Sequence, residues 1–287
     1  MKLSDINHAL EVAKHAARVG GEIARARLSD PGYLKWTGRR EVETEASLET
    51  QEAIVATISA EFPDAGILAK LGPEDAAVPV DASELWLVDS ASGSLNFAHG
   101  IPHFGISIAL RAEGDIRVGV VYDPFRDEMF EATPNTPARL NGTNIVVRQI
   151  REGQEAWNNA VIGTDWAQSG ELRAQTKTIL GIMENQVTEC NLMGSPALGF
   201  CYVAAGRTHL YWHLDLTIWD VAAPGLILEQ AGGVLTDRDG NSWLYSEGGY
   251  IGSNNVIHGW ALSCIQAFST FAQKDPREQA PLPKEFG

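Results

Sequence analysis

Two carboxylates stand where a carboxylate can do chemistry. Asp89 closes the apolar run Leu85-Trp86-Leu87-Val88, which reads as a short buried strand. It is followed by Ser90-Ala91-Ser92-Gly93-Ser94-Leu95-Asn96-Phe97, a Ser/Gly-rich turn whose amides and hydroxyls can hold an oxyanion. Asp220, within Trp219-Asp220-Val221-Ala222-Ala223, opens a helix. Each segment also has an ordinary explanation, Asp220 as a helix N-cap and the Ser/Gly stretch as a plain turn. Taken alone, the ordinary explanations prevail.

The elements that must position these residues follow from periodicity. Met1 to Arg27 has helical spacing, with Ser4 as its expected N-cap, and a second helix is predicted from Ser47 to Phe62, ended by Pro63-Asp64. Phe104 to Arg111 and Arg117 to Tyr122 read as a hairpin joined through Glu113-Gly114-Asp115. Asn141-Gly142 is a turn signal before an expected strand over Ile145 to Val147. In the second half, helices are predicted over Glu171 to Asn185, Ser195 to Ala205 and Asp220 to Ala231, with Gly232-Gly233 closing the last. Strands are predicted at Thr208 to Trp212 and Val234 to Thr236. This alternation points to a layered α/β or α+β architecture. A soft boundary near residue 150 separates an N-terminal half, 1–150, from a C-terminal half, 151–275, and the tail 276–287, rich in Pro and charge, is expected to be disordered.

The 287 residues carry 22 Lys+Arg against 37 Asp+Glu, a formal charge of −15. So acidic a surface repels phosphate backbones and anionic lipid, which argues against nucleic-acid and membrane partners and makes a small molecule the expected one. Cys190, Cys201 and Cys264 fit neither a zinc ribbon nor a disulfide framework, so a reducing, cytoplasmic setting is expected. No run of about twenty apolar residues is present.

In combination, the two acidic segments resemble the signatures of the inositol monophosphatase family of magnesium-dependent phosphomonoesterases. Asp89 to Phe97 is similar to the family's Asp-Pro-Ile/Leu-Asp-Gly-Thr-x-Asn-Phe, and His99 to Leu110 is a typical continuation. Trp219 to Ala223 is similar to Trp-Asp-x-Ala-Ala-Gly, with Pro224 in the Gly position. Gly194-Ser195, Tyr202 to Gly206 and Glu229 to Val234 extend the likeness over nearly the whole chain. The resemblance implies an α-β-α-β-α layered fold and a homodimer.

It also implies where metal ligands would lie, and there the residues depart from the pattern. The Gly-Glu-Glu position reads Ala69-Lys70-Leu71, the second Asp of the first motif is Ser92, and the Thr-Glu-Ala-Asp stretch reads Thr44-Glu45-Ala46-Ser47. Asp89 and Asp220 remain, Ser94 keeps a hydroxyl where the family has Thr, and a slipped loop could present Glu74 or Asp75 instead of Lys70. Magnesium needs several oxygen ligands, and an ammonium about 4 Å from a cation costs on the order of 4 kcal/mol at an effective dielectric of 20. The expectation is therefore weak or absent magnesium binding, no metal ligands and no other cofactor.

Lys70 can then act in three ways: as a salt bridge between Asp89 and Asp220, as an anion ligand together with the Gly93-Ser94 amides, or as the base of a Ser-Lys pair with Ser92 or Ser47. His213 falls where the family carries a substrate-touching Glu, and a near-neutral pKa would suit it to acid-base work. The expected catalytic set is Lys70, Asp89, Ser92, Ser94, His213 and Asp220, with Gly93, Ser94, Ser195 and His213 binding substrate. Trp36, Trp166 and Trp212 either enlarge or line the pocket or pack in the interior, and interior packing is the expected outcome for each. The function expected is a repurposed enzyme acting on a small polar, phosphorylated or acylated metabolite without the usual magnesium mechanism. The alternatives are a catalytically silent binding protein and a weak residual phosphomonoesterase.

Overall fold

Residue patterning places the elements, and packing orders them. The computed structural model describes residues 2–36, 42–71, 83–150, 156–246 and 248–272. Glu74, Asp75 and the tail from Pro276 lie outside the described residues.

Helix α1 (Leu3–Arg27) starts at Leu3, so Ser4 falls in its first turn and Lys2 takes the N-cap position. Strands β1 (Leu34–Trp36) and β2 (Val42–Thr44) pair antiparallel. Helix α2 (Glu45–Glu61) begins two residues before the predicted start, because Thr44 caps it. The Thr44 hydroxyl accepts the Ser47 N–H at 2.9 Å, and the Ser47 hydroxyl accepts the Thr44 N–H at 2.9 Å, a reciprocal capping box.

Next come β3 (Gly66–Ala69), β4 (Glu84–Ser92), the short helix α3 (Ser94–Ala98), β5 (Gly105–Ala112), β6 (Asp115–Asp123), β7 (Glu128–Ala132), β8 (Arg139–Leu140) and β9 (Thr143–Asn144). Their strands form a seven-stranded sheet in chain order, β3 parallel to β4 and the rest antiparallel. The predicted hairpin is β5–β6. The predicted strand at Ile145 to Val147 is not formed: the Ile145 N–H bonds the Ala138 carbonyl and the Val147 N–H bonds the Ala231 carbonyl, which draws this stretch off the sheet.

The remaining elements are β10 (Val161–Thr164), α4 (Gly170–Met183), β11 (Glu189–Leu192), α5 (Pro196–Ala204), β12 (Leu210–Leu216), α6 (Ile218–Gln230), β13 (Val234–Asp237), β14 (Gly248–Ser253) and α7 (His258–Ala272). Their strands form a five-stranded sheet, β11-β10-β12-β14-β13, with β14 antiparallel to both neighbours.

Three apolar cores separate the layers. Helices α1 and α2 bury Ala13, Ala17, Ile54 and Ile58 against Trp86, Ile106 and Ile108 on one face of the large sheet. Helices α5 and α6 lie between the sheets, with Phe200, Ile227 and Leu228 meeting Leu87, Val121 and Tyr250. Helix α4 and α7 side chains Ile179, Ala261 and Ile265 cover Trp212 and Ile251 on the far face of the small sheet. The order is α-β-α-β-α, as the resemblance implies. Helix α6 comes from the second half of the chain yet packs on β4, β5, β6 and β7 of the first, so the layers share one interior. Cys190, Cys201 and Cys264 are free thiols, and no described helix is long and apolar enough to cross a membrane.

Candidate functional site

Parallel pairing of β3 with β4 sets the first geometric fact. The Lys70 N–H, one residue past β3, bonds the Val88 carbonyl at 3.0 Å, which brings its side chain alongside Asp89. Asp220 arrives from the first turn of α6, where its Oδ2 accepts the Thr217 N–H at 3.0 Å and the Thr217 hydroxyl at 2.8 Å. Between them, Lys70 Nζ lies 3.0 Å from Asp89 Oδ2 and 3.2 Å from Asp220 Oδ1. Asp89 uses its other oxygen to accept the Ala91 N–H at 3.0 Å.

Both carboxylates are buried, and their environments split them. Burial pushes the Asp89 carboxyl above its ordinary value, outweighing the pull of Lys70, and the Asp220 charge adds to the rise. Burial acts the same way on Asp220, but there Lys70 and the two Thr217 donors together prevail and hold it below its ordinary value. The two carboxylates and the ammonium between them titrate as one coupled group.

Lys70 and Asp220 line an open cleft of about 710 Å³, whereas Asp89, bonded to Lys70, is buried and is not among its lining residues. Gly93, Ser94, His213 and Asp220 line it with Lys70, so these predicted residues converge. Ser92 and Ser195 do not line it. Ser92 Oγ accepts the Ala197 N–H at 3.1 Å, and the Ser195 hydroxyl donates to the Ser92 carbonyl at 2.7 Å, so both tie the end of β4 to the start of α5. With Ser47 held in its capping box, neither serine proposed for a Ser-Lys pair is presented to Lys70.

His213 needs a second correction. Its Nδ1 accepts the Asp215 N–H at 3.0 Å, and the ring is hydrogen-bonded to the Trp166 backbone as well. Burial pushes its pKa down to about 4, so it is a neutral, fixed imidazole at pH 7 rather than a near-neutral acid-base group.

Sequence reasoning missed Asp165, on the residue after β10. Its Oδ2 accepts the Tyr211 hydroxyl at 2.7 Å and its Oδ1 the Gly194 N–H at 2.6 Å, and burial raises its pKa to about 6. The available signal was the one that marked Asp89, a carboxylate ending an apolar strand. Trp36 and Trp166, expected inside, line the cleft and are 55% and 39% exposed, whereas Trp212 is fully buried.

Asp165 and His213 oppose each other in acid. Asp165 has a raised pKa, so its contribution to stability is full below about pH 4 and is lost as pH rises through about 6. The lowered value of His213 gives a contribution that is full above pH 6.5 and is lost as pH falls towards about 4. Each change is worth about 3 kcal/mol at most. Urea midpoints measured from pH 7 to 4 should therefore fall more steeply for Asp165→Asn than for the parent, and less steeply for His213→Gln.

A sequence model described as the inositol monophosphatase family matches residues 5–269. The chain belongs to that family. It is 34% identical over 248 residues to a Pasteurella multocida protein named Nus factor SuhB, covering 84% of this chain and 90% of the relative. It is 31% identical over 265 residues to a Mesorhizobium japonicum inositol-1-monophosphatase, covering 91% and 94%. Among solved structures, the extragenic suppressor protein suhB of Bartonella henselae superposes with a TM-score of 0.83 at 28% identity, covering 90% of this chain and 98% of that one. The Thermotoga maritima IMPase gives 0.82 at 26%, covering 94% and 99%.

Membership overturns one expectation and removes support from another. The family is magnesium-dependent and the inositol-1-monophosphatase relative is close, so the expectation of no metal and no cofactor is withdrawn. The exclusion of nucleic-acid partners finds no support among relatives named Nus factor.

The side chains bear on magnesium directly. Asp89 Oδ2 and Asp220 Oδ1 already face one cation, the Lys70 ammonium, which marks the space a metal ion would take. Among the described residues no three His, Cys, Asp or Glu side chains gather into a metal-binding group. Magnesium is commonly held by one or two carboxylates, with water and substrate oxygens completing its shell, and Asp89 with Asp220 fits that mode. The cleft also calls for positive charge, since Asp165, Asp215 and Asp220 stand against only Lys70 and Arg173 among its described charged lining groups.

Proposed function

We propose that the cleft binds a small phosphorylated metabolite and hydrolyses its phosphate ester, and that withdrawal of Lys70 from Asp89 and Asp220 controls the reaction. The observation that carries this reading is the Lys70 ammonium shared by the two carboxylates. Asp89 and Asp220 would hold magnesium, whose contribution when bound is to polarise phosphoryl oxygens and acidify water. Lys70 and the metal are alternatives for one space, so the lysine must swing out before the metal site is complete. Once displaced, its ammonium lies within reach of the cleft and can pair with a phosphate oxygen. Ser94, at the start of α3, offers a hydroxyl to the same region. His213, with its ring held by backbone, shapes the wall without exchanging protons. A homodimer is part of this reading.

Phosphate release from inositol 1-phosphate should depend on magnesium, with half-saturation in the millimolar range or above. Lys70→Glu should lower the magnesium concentration for half-maximal rate at least ten-fold, because it removes the competing cation and adds a carboxylate. Equal magnesium dependence in parent and variant would refute control by Lys70. No phosphate release from either protein at any magnesium concentration would refute the hydrolytic reading.

A further inference from the structure

We infer that Trp36 and Trp166 form an aromatic subsite at the mouth of the cleft, and that the ligand is a phosphate monoester whose alcohol part presents a flat aromatic ring. The inference rests on the reading that the cleft takes a phosphorylated small molecule. Three observations carry it beyond that reading.

The first is size. A cavity of about 710 Å³ is in the range that encloses a drug-sized ligand, so it has room for a ring beside the phosphate. The second is the kind of surface presented. Trp36 on β1 and Trp166 after β10 come from separate parts of the chain, line the same cleft, and leave 55% and 39% of their surface exposed. Leaving two indoles open to water forgoes much of the stabilisation they gain on burial, and a flat ring stacked on them recovers it. Hydroxyls of a polyol offer no such recovery.

The third observation is that one of the rings is held in place. The Arg173 guanidinium lies 4.7 Å from the centroid of the Trp166 ring and lines the cleft itself. A cation stacked on an indole fixes its orientation, which lowers the entropy cost of presenting that ring to a ligand. Two cationic side chains, Lys70 and Arg173, line the same cleft as the two indoles. The acidic groups Asp165 and Asp215, which line it as well, are engaged by Tyr211 and Gly194 and by the Gln168 and Ser169 N–H groups respectively.

Calorimetric titration of the full chain with 1-naphthyl phosphate, inositol 1-phosphate and 1-naphthol, in calcium instead of magnesium and with phosphate release checked to be absent, tests this directly. The expected result is that 1-naphthyl phosphate binds about ten-fold or more tightly than inositol 1-phosphate, the scale usual for stacking one ring on aromatic side chains. Trp36→Ala and Trp166→Ala should each remove most of that advantage, lowering affinity for the naphthyl ester far more than affinity for inositol 1-phosphate. Equal affinity for the two esters, or tryptophan variants that bind the naphthyl ester like the parent, would overturn the subsite while leaving phosphate binding intact. Naphthol binding as tightly as its phosphate would also overturn it, since the ring alone would then suffice. Failure of both esters to bind would remove the phosphorylated-ligand reading and the subsite with it.

Discussion

Replacing Lys70 by alanine is expected to destabilise the protein by about 3 kcal/mol or more when divalent metal is removed by a chelator. The side chains of Asp89 and Asp220 are 2% and 9% exposed, and Lys70 is the cation placed between their facing oxygens. Removing one partner of a buried ion group leaves the remaining charges desolvated and uncompensated, which commonly costs 3–5 kcal/mol. Here the penalty includes repulsion between two carboxylates that formerly shared an ammonium. Magnesium should restore much of the loss in Lys70→Ala, because it binds the folded state at the vacated position and stabilises by mass action. The measurement is the urea midpoint of parent and variant, each with chelator and with excess magnesium. The parent should gain little from the metal at concentrations that rescue the variant. A variant as stable as the parent in chelator would show that the triplet contributes nothing to the fold.

The second large effect is expected at Gly93. It caps α3 with φ of 107°, a left-handed conformation that side chains resist, and an added Cβ would lie 2.8 Å from the Gly194 carbonyl oxygen and 3.1 Å from Phe104 Cβ. The oxygen belongs to backbone and cannot swing aside. Gly194 itself is held by Asp165, which accepts its N–H, and by Asn96, whose Nδ2 donates to the neighbouring Met193 and His103 carbonyls at 2.7 and 2.8 Å. Gly93→Ala must therefore move either the Asp89 to Ser94 turn or the start of α5. A cost of about 3 kcal/mol is expected from strain and clash together. Any rate of phosphate release should fall by more than the fraction unfolded accounts for, because the turn carries Ser94 and follows Asp89. Thermal unfolding read beside activity checks both parts, and an alanine variant with parental stability would mean the turn relaxes freely.

These two sites also show how far residue order alone reaches. The element pattern was legible because each buried helix and strand has its own period: the small-residue stripe of α1, the apolar run of β4 and the alternating hairpin β5–β6 must each bury a face locally. Where an element begins was less legible. Thr44 and Ser47 are both competent caps, and their reciprocal hydrogen bonds decide that α2 starts at Glu45. The strand expected at Ile145 to Val147 was lost to the Ala138 carbonyl nearby and to the Ala231 carbonyl at the end of α6, more than eighty residues on, a competition that local propensity does not contain.

The same division runs through the site. By itself the sequence determined the family, the layered fold and the pairing of Asp89 with Asp220, because ordered motifs carry relative position with them. It left Lys70 open against Glu74 or Asp75, and the structure sets Lys70 between the two carboxylates. Only the tertiary structure decided which polar residues face the cleft. Ser92 and Ser195 sit inside the same motifs as Asp89 and Gly194, yet their hydroxyls satisfy buried backbone groups where β4 meets α5, and a hydroxyl spent there is unavailable to a ligand. His213 is fixed by two backbone partners that come from its own strand end and from the residue after Asp165. Trp36 and Trp166 look like core residues by composition. They line the cleft from the last residue of β1 and from two residues past β10, outside the packed layer in which Trp212 sits with Ile179, Ala261 and Ile265.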